Sequence, residues 1–216
     1  MKKLKNLLDF NCSSINLSKL IQVILRWGIQ KFEIYYEKIL GLDFILVIHP
    51  RDLGLDENFV VRGTPSGNIY LTNILQDLNI TDADSILDVG CSKGSAIRRM
   101  LAFPFQRVDG LEISEKLAVI AKENFIKLKK ENVSIYNVDA RCFKHYGNYN
   151  FFYFYNPFPC FVMSDVIQEI SKQVGNAKIT IIYNNPACHS VLVNNGFEKF
   201  GQYPDEWGNG IYVYSN

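Results

Sequence analysis

Neither sign of charge dominates this 216-residue sequence: 23 Lys and Arg stand against 22 Asp and Glu, for a net charge of +1. With no strong field there is no signal for nucleic acid or for an anionic membrane surface. No uninterrupted apolar run reaches the roughly 18 residues that a membrane-spanning helix needs. The start of the chain carries Lys2, Lys3 and Lys5 like a secretory leader, but Asp9 and Asn11 break the apolar stretch that should follow. The five cysteines, Cys12, Cys91, Cys142, Cys160 and Cys188, include no C-x-x-C pair, which argues against a metal or redox centre. An odd, scattered set fits a reduced cytosol, so a cytoplasmic location is expected. Internal repeats and low-complexity segments are absent as well.

What is present is enough apolar residue, 48% of the chain, for one continuous core. Leu17, Leu20, Ile21, Ile24 and Leu25, then Phe32, Tyr35, Tyr36, Ile39 and Leu40, recur at helical spacing and predict a helical layer with one buried face. Phe44 to Ile48 reads as a short strand and His49-Pro50-Arg51-Asp52 as a turn. Residues 1–63 are therefore expected to form a mainly helical extension ahead of a domain at 64–216.

In that domain short apolar runs alternate with helical ones. Strands are predicted at 85–89, 106–113, 133–138, 150–155 and 177–183, with helices at 95–103, 115–129, 162–174 and 187–194, the second capped by Ser114. Such alternation predicts a doubly wound α/β fold with a mostly parallel sheet. At the end the rhythm changes: 197–203 and 211–214 are strand-like and leave no room for a crossover helix, so an antiparallel hairpin should close the sheet. The aromatic run Tyr149 to Tyr155 reads as core, alternating between the two faces of its strand.

The densest signal is Ile86-Leu87-Asp88-Val89-Gly90-Cys91-Ser92-Lys93-Gly94-Ser95, an apolar strand ending in an acid and then a glycine turn that opens a helix. Open α/β sheets bind ligands at this carboxyl edge. Gly90 allows the tight turn, and Gly94 is expected to let a ligand approach the backbone. Glu112 ends the next strand 24 positions after Asp88, where an acid can accept both hydroxyls of a ribose. The third strand ends at Asp139, an acceptor suited to an exocyclic amine or to capping a helix. The pyrophosphate fingerprint G-x-G-x-x-G is not matched, which disfavours a dinucleotide-dependent oxidoreductase.

In this order the residues resemble the class I methyltransferases that use S-adenosylmethionine. The resemblance spans about residues 64–216 and implies that cofactor, with Asp88, Gly90 and Gly94 holding its methionine part, Glu112 its ribose and Asp139 its adenine. Cys91, Ser92, Ile113, Ala140 and Asn156, next to these residues or at the end of the fourth strand, are the further candidates for contact with it. Ser92 departs from the glycine that the family often carries there. Asn156-Pro157-Phe158-Pro159 is similar in part to the N-P-P-aromatic motif of enzymes that methylate amides and exocyclic amines, but its aromatic residue is displaced. A proline turn opening the helix from Val162 is the favoured reading, and Tyr183-Asn184-Asn185-Pro186 repeats the device. Asn156 and His145 are the candidates for acceptor chemistry; His189 reads as an ordinary surface residue. The implied activity is methyl transfer to a small molecule or glycan-linked group ahead of a protein or nucleic acid, the alternative being a binding module of the same fold without turnover. Nothing in the sequence specifies an oligomeric state.

Overall fold

The structure, a computed structural model, describes residue 28 and residues 31–56, 58–59, 64–205 and 207–216. The leader-like lysines, Cys12 and the apolar pattern from Leu17 to Leu25 lie outside the described residues. The chain divides into two compact units, Met1–Leu40 and Gly41–Asn216. In the first, residues 31–40 are helical as the spacing predicts. Their apolar face is not buried, since Phe32, Tyr35 and Ile39 are all exposed.

The second unit is built on seven strands: β1 (Ser85–Val89), β2 (Arg107–Glu112), β3 (Ile135–Asn137), β4 (Phe151–Tyr155), β5 (Thr180–Asn184), β6 (Glu198–Tyr203) and β7 (Ile211–Ser215). They form one sheet in the order 3-2-1-4-5-7-6. The first five pair in parallel, with Asp88 in register with Gly110 on one side and Tyr153 on the other. β7 runs antiparallel between β5 and β6, so the expected closing hairpin is present.

Period-two alternation sends side chains of each central strand into two separate cores. Ile86, Val108 and Tyr153 face α1 (Ile69–Asp77), α2 (Ser95–Met100) and α3 (Glu115–Lys127). Leu87, Val89, Phe152 and Phe154 face α4 (Cys160–Val174) and α5 (His189–Asn194). Helices on both faces of a parallel sheet make the fold doubly wound, and the aromatic run of β4 is core on both sides. Caps set the helix starts: Asn68 accepts from Leu71 N–H before α1, and Ser114 accepts from Leu117 N–H before α3, as its sequence position predicts.

Three expectations need correction. Residues 44–48 are not a strand. Instead of finding a ladder partner, Phe44 turns inward, 3% exposed, with its ring edge-on to Phe125 at 5.6 Å. His189 is half-buried rather than at the surface, and its Nδ1 lies 2.8 Å from the Tyr214 hydroxyl. Most consequentially, the cysteines are not all reduced: Cys160, the first residue of α4, is bonded to Cys188 just before α5. The bridge joins the connections that follow β4 and β5, while Cys91 and Cys142 are free thiols. No helix among the described residues is long and apolar enough to cross a membrane.

Candidate functional site

At the carboxyl edge of the sheet the connections after β1, β2, β3 and β4 enclose one cleft. The glycine loop after β1 is shaped by three left-handed residues, Gly90 (φ 87°), Ser92 (φ 50°) and Gly94 (φ 88°). Gly90 and Cys91 both donate their N–H to the Leu111 carbonyl, which ties the loop to β2. Ser92 carries a Cβ in a region that costs such residues roughly 1–2 kcal/mol. Its N–H donates to Glu112 Oε2 at 2.9 Å, a charge-assisted bond that offsets the strain.

Gly94 serves a different purpose from the expected one. A Cβ there would sit 2.6 Å from the Phe125 ring, so packing against α3, not a ligand, demands glycine, and Gly94 does not line the cleft.

Two carboxylates dominate the floor. Asp88 is 3% exposed and makes no side-chain hydrogen bond among the described residues. Burial, and then the neighbouring charge of Glu112, hold its carboxyl well above the usual range. Glu112 Oε1 accepts from Ser114 N–H at 2.8 Å while Oε2 accepts from Ser92. Burial raises the Glu112 carboxyl too, and these N–H donors oppose the rise. A carboxylate has about four lone-pair sites, so Glu112 retains acceptor capacity toward the cleft. Burial, followed by the charges of Asp88 and Glu112, pushes the Cys91 thiol well up, which keeps it protonated and unreactive.

Asp139 lies at the turn after β3. Its Oδ1 accepts from Arg141 N–H, capping a single 3-10 turn, and its carboxylate is bonded to the Arg141 guanidinium at 2.7 Å. That hydrogen bond holds Asp139 below the usual carboxylate range. The capping alternative is therefore what the structure displays.

Asp88, Gly90, Cys91, Ser92, Glu112, Ile113, Asp139 and Ala140 thus share the cleft, and Asn156 does not. Asn156 occupies a left-handed corner (φ 39°) whose neighbours Tyr155, Pro157 and Phe158 do line it. His145 is exposed beside Phe143, in a separate shallow depression. No histidine lines the cleft among the described residues.

Two features escaped sequence reasoning. Lys93, inside the glycine loop, is 3% exposed and pairs with Asp43 at 2.6 Å. Asn124 of α3 fastens the same place, accepting from Asp43 N–H and donating to the carbonyls of Asp43 and Lys93. This clasp anchors the second feature, the segment 44–59, which supplies an apolar wall of the cleft. A lysine inside the glycine loop was the one available signal for an acidic partner; the wall has no periodicity to betray it.

The strand order, the reversed β7 and the ligand cleft at the carboxyl edge define the class I, Rossmann-like methyltransferase fold. Solved structures agree. A methyltransferase of Aquifex aeolicus superposes with a TM-score of 0.53 at 15% identity, over 67% of this chain and 87% of that one. The magnesium protoporphyrin IX methyltransferase of Synechocystis PCC 6803, solved with S-adenosylmethionine bound, gives 0.51 at 16% identity, over 69% and 76%. A ribosomal protein L11 methylase of Lactobacillus delbrueckii subsp. bulgaricus gives 0.52 at 15% identity, over 71% and 81%. No protein-family model and no curated protein sequence matches the chain.

Proposed function

We propose that the protein binds S-adenosylmethionine and transfers its methyl group to a small-molecule or glycan-linked acceptor. The observation that carries this reading is Asp88, a buried carboxylate without a hydrogen-bond partner, facing an enclosed cleft beside Glu112. A desolvated, unpaired carboxylate is costly and suits a cationic ligand group. The cofactor's ammonium fits Asp88, its ribose hydroxyls fit the free lone pairs of Glu112, and its adenine fits between Ile113 and Ala140 with Asp139 at the rim.

When bound, the cofactor supplies an electrophilic methyl on a sulfonium that departs as a neutral thioether. What remains for the protein is alignment and exclusion of water, and ideal positioning contributes roughly 7–11 kcal/mol. The glycine loop, fixed to β2 through Leu111 and Glu112, provides the rigid half of that alignment. Asn156 and His145 play no part in this proposal because neither lines the cleft.

Calorimetric titration with S-adenosylmethionine, with NADH as control, tests the reading. We expect binding of the former alone and a weakening of at least about tenfold in Glu112→Ala, the cost of losing a charged acceptor. Binding of NADH instead refutes it; cofactor binding without turnover on any acceptor leaves a binding module.

A cytoplasmic location belongs to the same reading and is supported by the odd, scattered cysteine set. The Cys160–Cys188 bridge opposes it, since disulfides persist chiefly in oxidising compartments. Thiol counting after rapid alkylation in cells decides: both cysteines alkylated supports the cytoplasm, and both protected rules it out.

A further inference from the structure

The carboxylates occupy only part of the cleft. The remainder is walled by Ile48, Leu53, Leu55 and Phe59 from the segment 44–59, by Tyr155 at the end of β4 and by Phe158 just after it. Phe59 meets Phe161 edge-on at 5.6 Å, which brings this segment against the start of α4. The only cations lining the cleft among the described residues are Lys93 and Arg141. Both are ion-paired within the protein, Lys93 with Asp43, and Arg141, whose guanidinium also lies over the Phe59 ring, with Asp139. From the protein side an anionic acceptor would leave water for a site with no unpaired cation and with Asp88 and Glu112 nearby, a combination that burial penalises. An uncharged ring has no charge to desolvate on entry and gains contact with aromatic edges and branched aliphatic side chains.

We propose that the acceptor is an uncharged aromatic small molecule, bound between the segment 44–59 and Tyr155–Phe158. The proposal rests on the methyl-transfer reading above and deepens it by naming the acceptor class. The clasp of Lys93, Asp43 and Asn124 fixes one end of this wall to the glycine loop, so the acceptor wall and the cofactor loop share an anchor. Leu53 is the residue to alter, since it ends the short 3-10 turn Pro50–Leu53 and is only partly buried.

Two probes of the same shape separate charge from size: 2-naphthol, neutral near neutral pH, and 2-naphthoate, an anion. Each is titrated by fluorescence into the full chain saturated with S-adenosylhomocysteine. We expect naphthol to bind at least about tenfold more tightly than naphthoate. Leu53→Asp and Leu55→Gln should each weaken naphthol by about tenfold while S-adenosylhomocysteine affinity, which reports folding, stays within about twofold. Equal or tighter binding of naphthoate, unchanged naphthol binding in both variants, or no naphthol binding beside intact S-adenosylhomocysteine binding overturns the proposal. Naphthol binding that responds to Leu53 in a protein that takes no S-adenosylhomocysteine would instead defeat the methyl-transfer reading and leave the pocket's chemistry standing.

Discussion

Asp88 and Asp109 sit on adjacent parallel strands and are both removed from water, 3% and 0% exposed, but their surroundings differ. Asp109 accepts from the Tyr149 hydroxyl at 2.6 Å and from Ser134 N–H at 2.6 Å, with the Arg107 guanidinium 3.8 Å away. Asp88 has no such partner. Burial raises both carboxyls; for Asp109 the donors and Arg107 pull against the rise, whereas for Asp88 the Glu112 charge adds to it. A buried charge ringed by donors belongs to the fold. One left bare on the floor of a cleft is a cost the fold bears for something outside itself.

That contrast can be broken by exchanging the charge for an amide at each place. Asp109→Asn should cost about 3 kcal/mol of stability by urea unfolding, because Ser134 N–H and the Tyr149 hydroxyl donate to different oxygens and an amide presents its NH₂, a donor, in place of one of them. Its cofactor affinity should be unchanged where it folds. Asp88→Asn should do the opposite. S-adenosylmethionine affinity is expected to fall by about 1.5–3 kcal/mol, tenfold or more, with stability of the ligand-free protein equal or higher. If Asp88→Asn destabilises as much as Asp109→Asn, the division between structural and ligand-binding carboxylates fails. A milder form is Tyr149→Phe, which deletes one donor and leaves Asp109 its bond to Ser134. It should cost about 1–2 kcal/mol in the same unfolding measurement and leave cofactor affinity alone.

The two aspartates also mark how far sequence carries. Both stand in apolar runs, and the strand-end position singled out Asp88 and Glu112 because parallel sheets present their carboxyl edges to ligands. The alternation of strands and helices, and the closing hairpin, were legible because each element buries a periodic face. Residues 44–59 were not. Phe44 is buried by a tertiary contact with Phe125, and the wall is held by Asp43 meeting Lys93, 50 positions away. Cys160 and Cys188 pair across 28 positions of chain, a pairing that an odd, scattered set conceals. Gly94 was singled out for a ligand where a phenylalanine ring needs the space. Asp139 and Arg141 are two residues apart, and only the 3-10 turn between Ala140 and Cys142 brings their charges together. Local pattern thus revealed backbone and strand ends; partners distant in sequence required the fold.

The smallest expected effect sharpens the contrast through pH. An aspartate has a pKa of about 3.9 in the unfolded chain, and Asp88 lies well above that in the fold, so the native state binds this proton more tightly. Its contribution to stability is therefore fully present below about pH 4 and is lost as pH rises through the raised value. Glu112 and Asp109 shift in the same direction, while Asp139, lowered by Arg141, contributes in the opposite sense, gaining as pH rises. Urea midpoints of the ligand-free protein measured between about pH 5 and about pH 8 should decline less steeply in Asp88→Asn than in the parent. Superimposable profiles would mean that Asp88 is not held protonated by its surroundings. A cationic ligand should reverse the preference, because an ammonium beside Asp88 favours the ionised carboxylate. Binding of S-adenosylmethionine should then release protons in the parent and fewer in Asp88→Asn, as read from calorimetry in buffers of different ionisation enthalpy. Equal release in the two proteins would move the ammonium away from Asp88 and assign its bare carboxylate to some other group of the ligand.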